Sequence, residues 1–130
     1  MKKVIIMLSL FAVIITFAGL DLWHTSRFYS KTIDNIAIAG DSIQANRDNI
    51  NNAETMHLVN KANDEWEKGK RVMMMLVNHN VIRLVDEKFV SLIEQTRTNN
   101  YLDAIVTARV LRSYVADLKE ENLPLLRNIL

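Results

Sequence analysis

Residues 55–77 read TMHLVNKANDEWEKGKRVMMMLV. Val59, Ala62, Trp66, Gly69, Met73 and Leu76 step along this stretch by three and four, the interval that gathers side chains onto one stripe of an α-helix. Asp64→Lys68 and Glu67→Arg71 stand four apart in the order that supports a helix, each pair contributing about 0.2–0.5 kcal/mol. The periodicity therefore predicts a helix over residues 55–77 whose apolar stripe is buried against other helices.

The same rhythm extends in both directions. After Asn78-His79-Asn80, a third helix is predicted over residues 81–98, burying Ile82, Val85, Phe89, Leu92 and Thr96. Asn78 tolerates the left-handed conformation that ends helices, and Asn80 suits the cap of the next one. The triplet reads as a tight hairpin, with a continuous helix as the alternative. Asn99-Asn100 marks the next turn, and Asn100 with Asp103 three residues on makes a start like a capping box. A fourth helix follows over residues 101–121, burying Tyr101, Ile105, Ala108, Leu111, Val115 and Leu118. It is expected to stop at Asn122-Leu123-Pro124, because the residue before proline avoids the helical region. The apolar ending Leu125, Leu126, Ile129, Leu130 predicts a short segment docked on the bundle.

Upstream, Tyr29, Ile33, Ile36, Gly40, Ile43, Arg47 and Ile50 form an a/d seam. It predicts a juxtamembrane helix over residues 22–51, broken near residues 49–55, which serves as a self-associating stalk or as a fourth bundle helix. Before it, Lys2-Lys3 precedes VIIMLSLFAVIITFAGL, residues 4–20, 17 uncharged residues of which 11 are Leu, Ile, Val or Phe. With Leu22 and Trp23 this reaches about 20 residues, or about 30 Å of helix, enough to span a bilayer. Trp23 suits the membrane interface, and Lys2 and Lys3 favour an N-terminus left inside. A cleaved signal peptide is the competing reading. Its best cleavage match, Thr16-x-Ala18, is poor, and the apolar run is longer than such signals carry.

The reading at this level is all-α: an N-terminal transmembrane helix followed by a small antiparallel bundle of three to four helices. Residues 1–22 form a signal anchor, 23–54 a juxtamembrane helix, and 55–130 the bundle with its docked C-terminal segment. The expected location is the cell membrane, single-pass through residues 4–22, with the bulk of the chain extracytoplasmic.

Composition narrows the function. The chain of 130 residues has 49% hydrophobic and 24% charged residues and a net charge of +1. Beyond residue 20 there are 14 basic and 15 acidic residues. That balance argues against an electrostatically driven nucleic-acid binder. The absence of cysteine removes disulfides, thiol nucleophiles and Cys-based zinc sites, and three glycines and one proline speak against phosphate loops and turn-rich β folds.

The segment Trp66-Glu67-Lys68-Gly69-Lys70-Arg71-Val72-Met73-Met74-Met75-Leu76-Val77-Asn78-His79-Asn80 and the ending Glu121-Asn122-Leu123-Pro124-Leu125-Leu126-Arg127-Asn128-Ile129-Leu130, behind an apolar N-terminus, resemble the bacterial domain-of-unknown-function family 4363. That resemblance implies a small membrane-anchored helical protein. It brings no reaction, ligand or catalytic residue, and it points to Trp66, Asn78, His79 and Asn128-Ile129-Leu130 as residues to test.

The residues themselves suggest no catalytic, cofactor or metal site. His57 has Lys61 at i+4 and His79 has Arg83, so neither forms a ligand pair on a helix. His79 reads as a helix-end residue favoured by a C-terminal dipole. Asp64-Glu65, Asp86-Glu87 and Glu120-Glu121 are sequence neighbours that point about 100° apart and share no site. The basic run Lys68-Gly69-Lys70-Arg71 is offset by Asp64, Glu65 and Glu67, and Gly69 predicts a close helix approach. Met73-Met74-Met75 covers most of a helix circumference and offers an adaptable surface. The leading expectation is a non-enzymatic protein-interaction module, with Trp66, Met74, His79 and Tyr101 as candidate contacts to an unidentified protein or a second copy. A binding module for a small molecule, lipid or wall component is the alternative.

Overall fold

The computed structural model describes residues 1–73 and 79–129, apart from the side chains of residues 21, 22, 72, 73 and 122–129. The first helix, α1 (Lys2–Ala45), passes without a break from the apolar segment into the a/d seam. At 1.5 Å per residue its 44 residues extend about 66 Å. Its two halves differ in burial. The apolar half is exposed on every face, none of its most apolar window being covered. From Thr25 onward every third or fourth residue is buried: Tyr29, Thr32, Ile36, Ala39 and Ile43.

α1 ends at Ala45, earlier than the polar cluster suggested. Both the backbone N–H and the side-chain amide of Asn46 donate to the Ser42 carbonyl, at 3.1 and 2.8 Å, which satisfies that carbonyl locally and releases the chain. Asn52 then caps α2 (Ala53–Met73): its Oδ1 accepts the Thr55 N–H at 2.9 Å. α3 spans His79–Arg97 and α4 spans Tyr101–Ile129. The described residues include no strand.

The helices form a square in which each packs on its two neighbours, α1 between α2 and α4, and α3 opposite α1. The pairs that meet fix the directions. Ser42 meets Thr55, Lys31 meets Glu65 and Phe28 lies against Gly69, so α2 falls as α1 climbs. Arg47 meets Tyr101, Gly40 meets Ala108 and Ser30 meets Lys119, so α4 is antiparallel to α1 as well. Trp66 lies against Asp86 and Phe89, which requires a reversal between α2 and α3 and excludes one continuous helix through His79. Asn78 itself lies outside the described residues, and Asn80 falls inside the first turn of α3, not ahead of it.

All four stripes converge on one core. The residues of the juxtamembrane stretch share it with Val59, Ala62 and Trp66 of α2, so the stretch is a full member of the bundle. The seam Tyr29, Ile36, Ile43, Ile50 is thus used within the chain and not displayed for a second copy. In α3 the buried set is Ile82, Val85, Phe89, Leu92 and Thr96, as the periodicity predicts. In α4 the stripe is wider than expected, since Ala104 and Thr107 are also buried while Tyr101 and Ile105 are half-buried. α4 also continues through Pro124 to Ile129. Proline removes one N–H and crowds the Glu120 carbonyl with its ring, a local cost that the helix carries without ending there.

The α3–α4 turn holds the far end of the square together. Asn99 takes a left-handed φ of 57°. Its N–H donates to the Thr96 carbonyl and that of Asn100 to the Gln95 carbonyl, the paired bonds of a Schellman ending. Asn100 then opens α4, its Oδ1 facing the Asp103 N–H at 3.5 Å and its amide donating to the Asp103 carboxylate at 2.7 Å. The Asp103 side chain reaches the cap's amide instead of its backbone N–H, which the Gln95 carbonyl already occupies. The Asn99 side chain crosses to the other turn, accepting the N–H of buried Ile50 at 2.9 Å and donating to the Asp48 carbonyl at 3.2 Å. Asn99→Gly keeps the backbone and loses both bonds, an expected cost of about 1–2 kcal/mol. Asn99→Ala adds a left-handed penalty of about 1 kcal/mol, so alanine is expected to melt below glycine when thermal unfolding is followed by circular dichroism.

Candidate functional site

Each candidate contact residue has a definite place except Met74, which lies outside the described residues. Trp66 is 0% exposed and offers no surface to a partner in the folded bundle. Its ring stacks between Phe28 and Phe89, with centroids 5.7 and 6.2 Å away, and its Nε1–H donates to Asp86 Oδ1 at 2.8 Å. The other Asp86 oxygen accepts from Lys70 Nζ at 3.1 Å, and Lys70 also pairs with Glu67 at 2.8 Å. Burial works hardest against the Lys70 charge, yet the bonds to Glu67 and Asp86 together hold the ammonium above its ordinary range. The cluster is a polar clamp between α2 and α3. It also redirects the charge pairing: among the described residues Glu67 pairs with Lys70 and not with Arg71, and Lys31, not Lys68, takes an acidic partner in this region, Glu65, whose carboxyl it lowers chiefly by hydrogen bonding.

His79 is exposed and lies on α3, so it is not an end residue of α2. His24 is also exposed and touches the edge of Trp23, whose ring lies under the Arg27 guanidinium at 5.1 Å. His57 is exposed on α2. Among the described residues no three His, Asp or Glu side chains cluster as metal ligands. Tyr101 is half-buried at the start of α4, covered by the Arg47 guanidinium at 5.0 Å from its ring centre.

The candidate surface is on α4, beside Tyr101. Leu102 is 67% exposed and Val106 56%. They stand one turn apart on the outer face, away from the stripe of Ala104, Ala108 and Leu111. Arg109 continues this face one turn beyond Val106, and with Arg112 it borders an open cleft between α4 and α1 floored by Ile36, Gly40 and Ala108. Gly40 creates the cleft: a Cβ there would stand 3.9 Å from the Ala108 side chain, in ordinary contact, so larger residues would fill the space. Neither arginine has an ion-pair partner among the described residues, although Asp41 lines the same cleft.

The periodicity of the core stripe does not pick out this surface. Its signal was present as a second apolar pair, Leu102 and Val106, out of phase with the core stripe of the same helix. An apolar pair offset by about half a helical turn from the buried face has no use inside a four-helix square.

The family described as Domain of unknown function (DUF4363) matches residues 23–129 of this chain. No curated protein and no solved structure matches it.

Proposed function

The chain belongs to the DUF4363 family, and we propose that it is a single-pass membrane-anchored protein whose helical bundle works outside the cytoplasm as a protein-interaction module. The matched residues begin at Trp23, where the apolar half of α1 gives way to the bundle. That half is long and apolar enough to cross a membrane, and none of the described residues covers its most apolar window. A continuous α1 would carry the membrane segment directly into the bundle without a flexible linker. The anchor raises the local concentration of the bundle near other membrane proteins, so a modest contact suffices.

The observation that carries the interaction reading is the outer face of α4. Leu102 and Val106 are exposed apolar side chains followed by Arg109 and Arg112, cations with no ion-pair partner among the described residues. They lie at the end of the bundle away from the apolar segment, where a partner outside the membrane has access. Such a face fits a partner with an apolar patch rimmed by carboxylates. The α1–α4 cleft supports the alternative of a ligand-binding module, but its volume of about 170 Å3 is below the roughly 300 Å3 at which small-molecule sites begin.

A photo-crosslinking residue at Leu102, used in cells with membrane sidedness read in parallel, tests this proposal. One discrete protein adduct on the outer face is expected, diminished by Val106→Asp or by Arg109→Glu. A ladder of unrelated adducts, insensitive to both substitutions, would count against it. A self-adduct alone would move the function to an oligomer.

A further inference from the structure

We infer that the last two turns of α4, residues 122–129, enter the headgroup layer of a phospholipid membrane beside α1, as a second foot of the bundle. The inference rests on the anchored reading above and adds a lipid contact to it. It starts from register. Tyr101 of α4 meets Arg47, just past the end of α1, and Ala108 and Lys119 meet Gly40 and Ser30 of α1 in turn, so the two helices stay side by side over most of the bundle. α4 continues as helix from Lys119 to Ile129, about 15 Å further at 1.5 Å per residue. The same distance back along α1 from Ser30 reaches Leu20, the last residue of the uncharged run. The backbone of α4 therefore descends to the level at which α1 becomes apolar.

That level has the marks of a membrane boundary on α1. Leu20 and Trp23 are both about half exposed, and Arg27 stacks on the Trp23 ring. An exposed tryptophan with a cation beside it is the pairing that interfaces favour, since the ring tolerates both water and acyl chain while the cation meets phosphate. The sequence of α4 changes character at the same height. Residues 117–121 carry Asp117, Lys119, Glu120 and Glu121; residues 122–129, NLPLLRNI, carry one charge, Arg127, and no carboxylate. Loss of acidic residues, gain of leucines and a single arginine is the composition suited to a layer of anionic headgroups over hydrocarbon. The helix form satisfies most of the segment's backbone groups before it leaves water.

The chain has no cysteine, so single cysteines report unambiguously. The full chain would be reconstituted into phosphatidylcholine–phosphatidylglycerol vesicles with an environment-sensitive fluorophore at Leu10→Cys, Ala45→Cys, Leu126→Cys or, as a second probe of the same segment, Asn128→Cys. Helical content would be checked for each. Nitroxide lipids with shallow or deep spin labels then read depth. The expected result is loss of most fluorescence at Leu126→Cys and Asn128→Cys with shallow nitroxides, loss at Leu10→Cys with deep ones, and none at Ala45→Cys. Quenching at Leu10→Cys with none at the α4 probes overturns the inference and leaves the anchor intact, whether those probes report water or a dry contact with the bundle. No quenching at Leu10→Cys overturns the anchored reading, and the inference with it.

Discussion

Replacing Trp66 with alanine is expected to lower the unfolding free energy by about 3–5 kcal/mol, the largest loss available to a single substitution in this bundle. Trp66 is the largest fully buried side chain, and its ring is the middle member of a stack that runs from Phe28 of α1 to Phe89 of α3. It is therefore the one side chain on α2 that ties together two other helices by ring contact. Truncation leaves a cavity that two facing aromatics cannot fill without leaving their rotamers. It also removes the donor from Asp86 Oδ1, a smaller loss, because that carboxylate is partly exposed and keeps Lys70. Trp66→Phe separates the two contributions. It keeps a stacked ring, loses the indole N–H, and is expected to cost substantially less than alanine. Val90→Ala, at an exposed apolar position on α3, is expected to change stability by no more than about 0.5 kcal/mol. Thermal unfolding of the full chain in detergent, followed by circular dichroism, checks the series. At roughly 4–8 °C per kcal/mol, the alanine variant should melt well over 10 °C below the parent.

The fate of Trp66 also marks where sequence reasoning stops. Its position in phase with Val59 and Ala62 already placed it on the buried stripe of α2, and the structure finds it there. Its selection as a contact residue followed the family resemblance and not the periodicity, and burial removes that role. The α3 stripe was legible to the last residue because Ile82, Val85, Phe89, Leu92 and Thr96 keep one unbroken spacing of three and four. The α1 seam was legible as a pattern but not as an interface, since Tyr29, Ile33, Ile36 and Ile43 at a and d fit a second chain as well as three helices of the same chain. Which of the two occurs depends on whether the later helices can fold back onto it, and that is set by turns such as Asn99, whose side chain reaches across to Ile50. Such long-range bonds leave no trace in local spacing. The charge pairs failed for the same reason. Local order favoured Glu67 with Arg71, but Asp86 of the next helix draws Lys70 into the clamp and Glu67 follows it. His79 illustrates the sensitivity to boundaries: it belongs to α3 and not to the end of α2.

Gly69→Ala is the substitution for which helix propensity and packing predict opposite signs. In an exposed helix the change gains about 1 kcal/mol, because glycine pays more backbone entropy than alanine. Here a Cβ at residue 69 would stand 1.9 Å from the Phe28 ring, with two further ring atoms within 2.5 Å. The ring cannot rotate aside without breaking its stack on Trp66, and its neighbour Tyr29 is buried. Making room requires α2 to move away from α1 or Phe28 to leave the stack. Overpacking of this kind costs about 1–3 kcal/mol or more, which exceeds the propensity gain. A net destabilisation is therefore expected. Phe28→Ala is expected to be destabilising by itself, since it removes one side of the aromatic stack. In that background the space beside residue 69 is open, and Gly69→Ala should then stabilise by about 1 kcal/mol. The propensity gain cancels between the two backgrounds, so the reversal of sign corresponds to a coupling equal to the overpacking cost, about 1–3 kcal/mol, within reach of a double-mutant cycle measured by urea unfolding. A stabilising Gly69→Ala in the parent chain would mean that α1 and α2 do not approach this closely at Phe28, and the stacking of Trp66 against α1 would have to be abandoned with it.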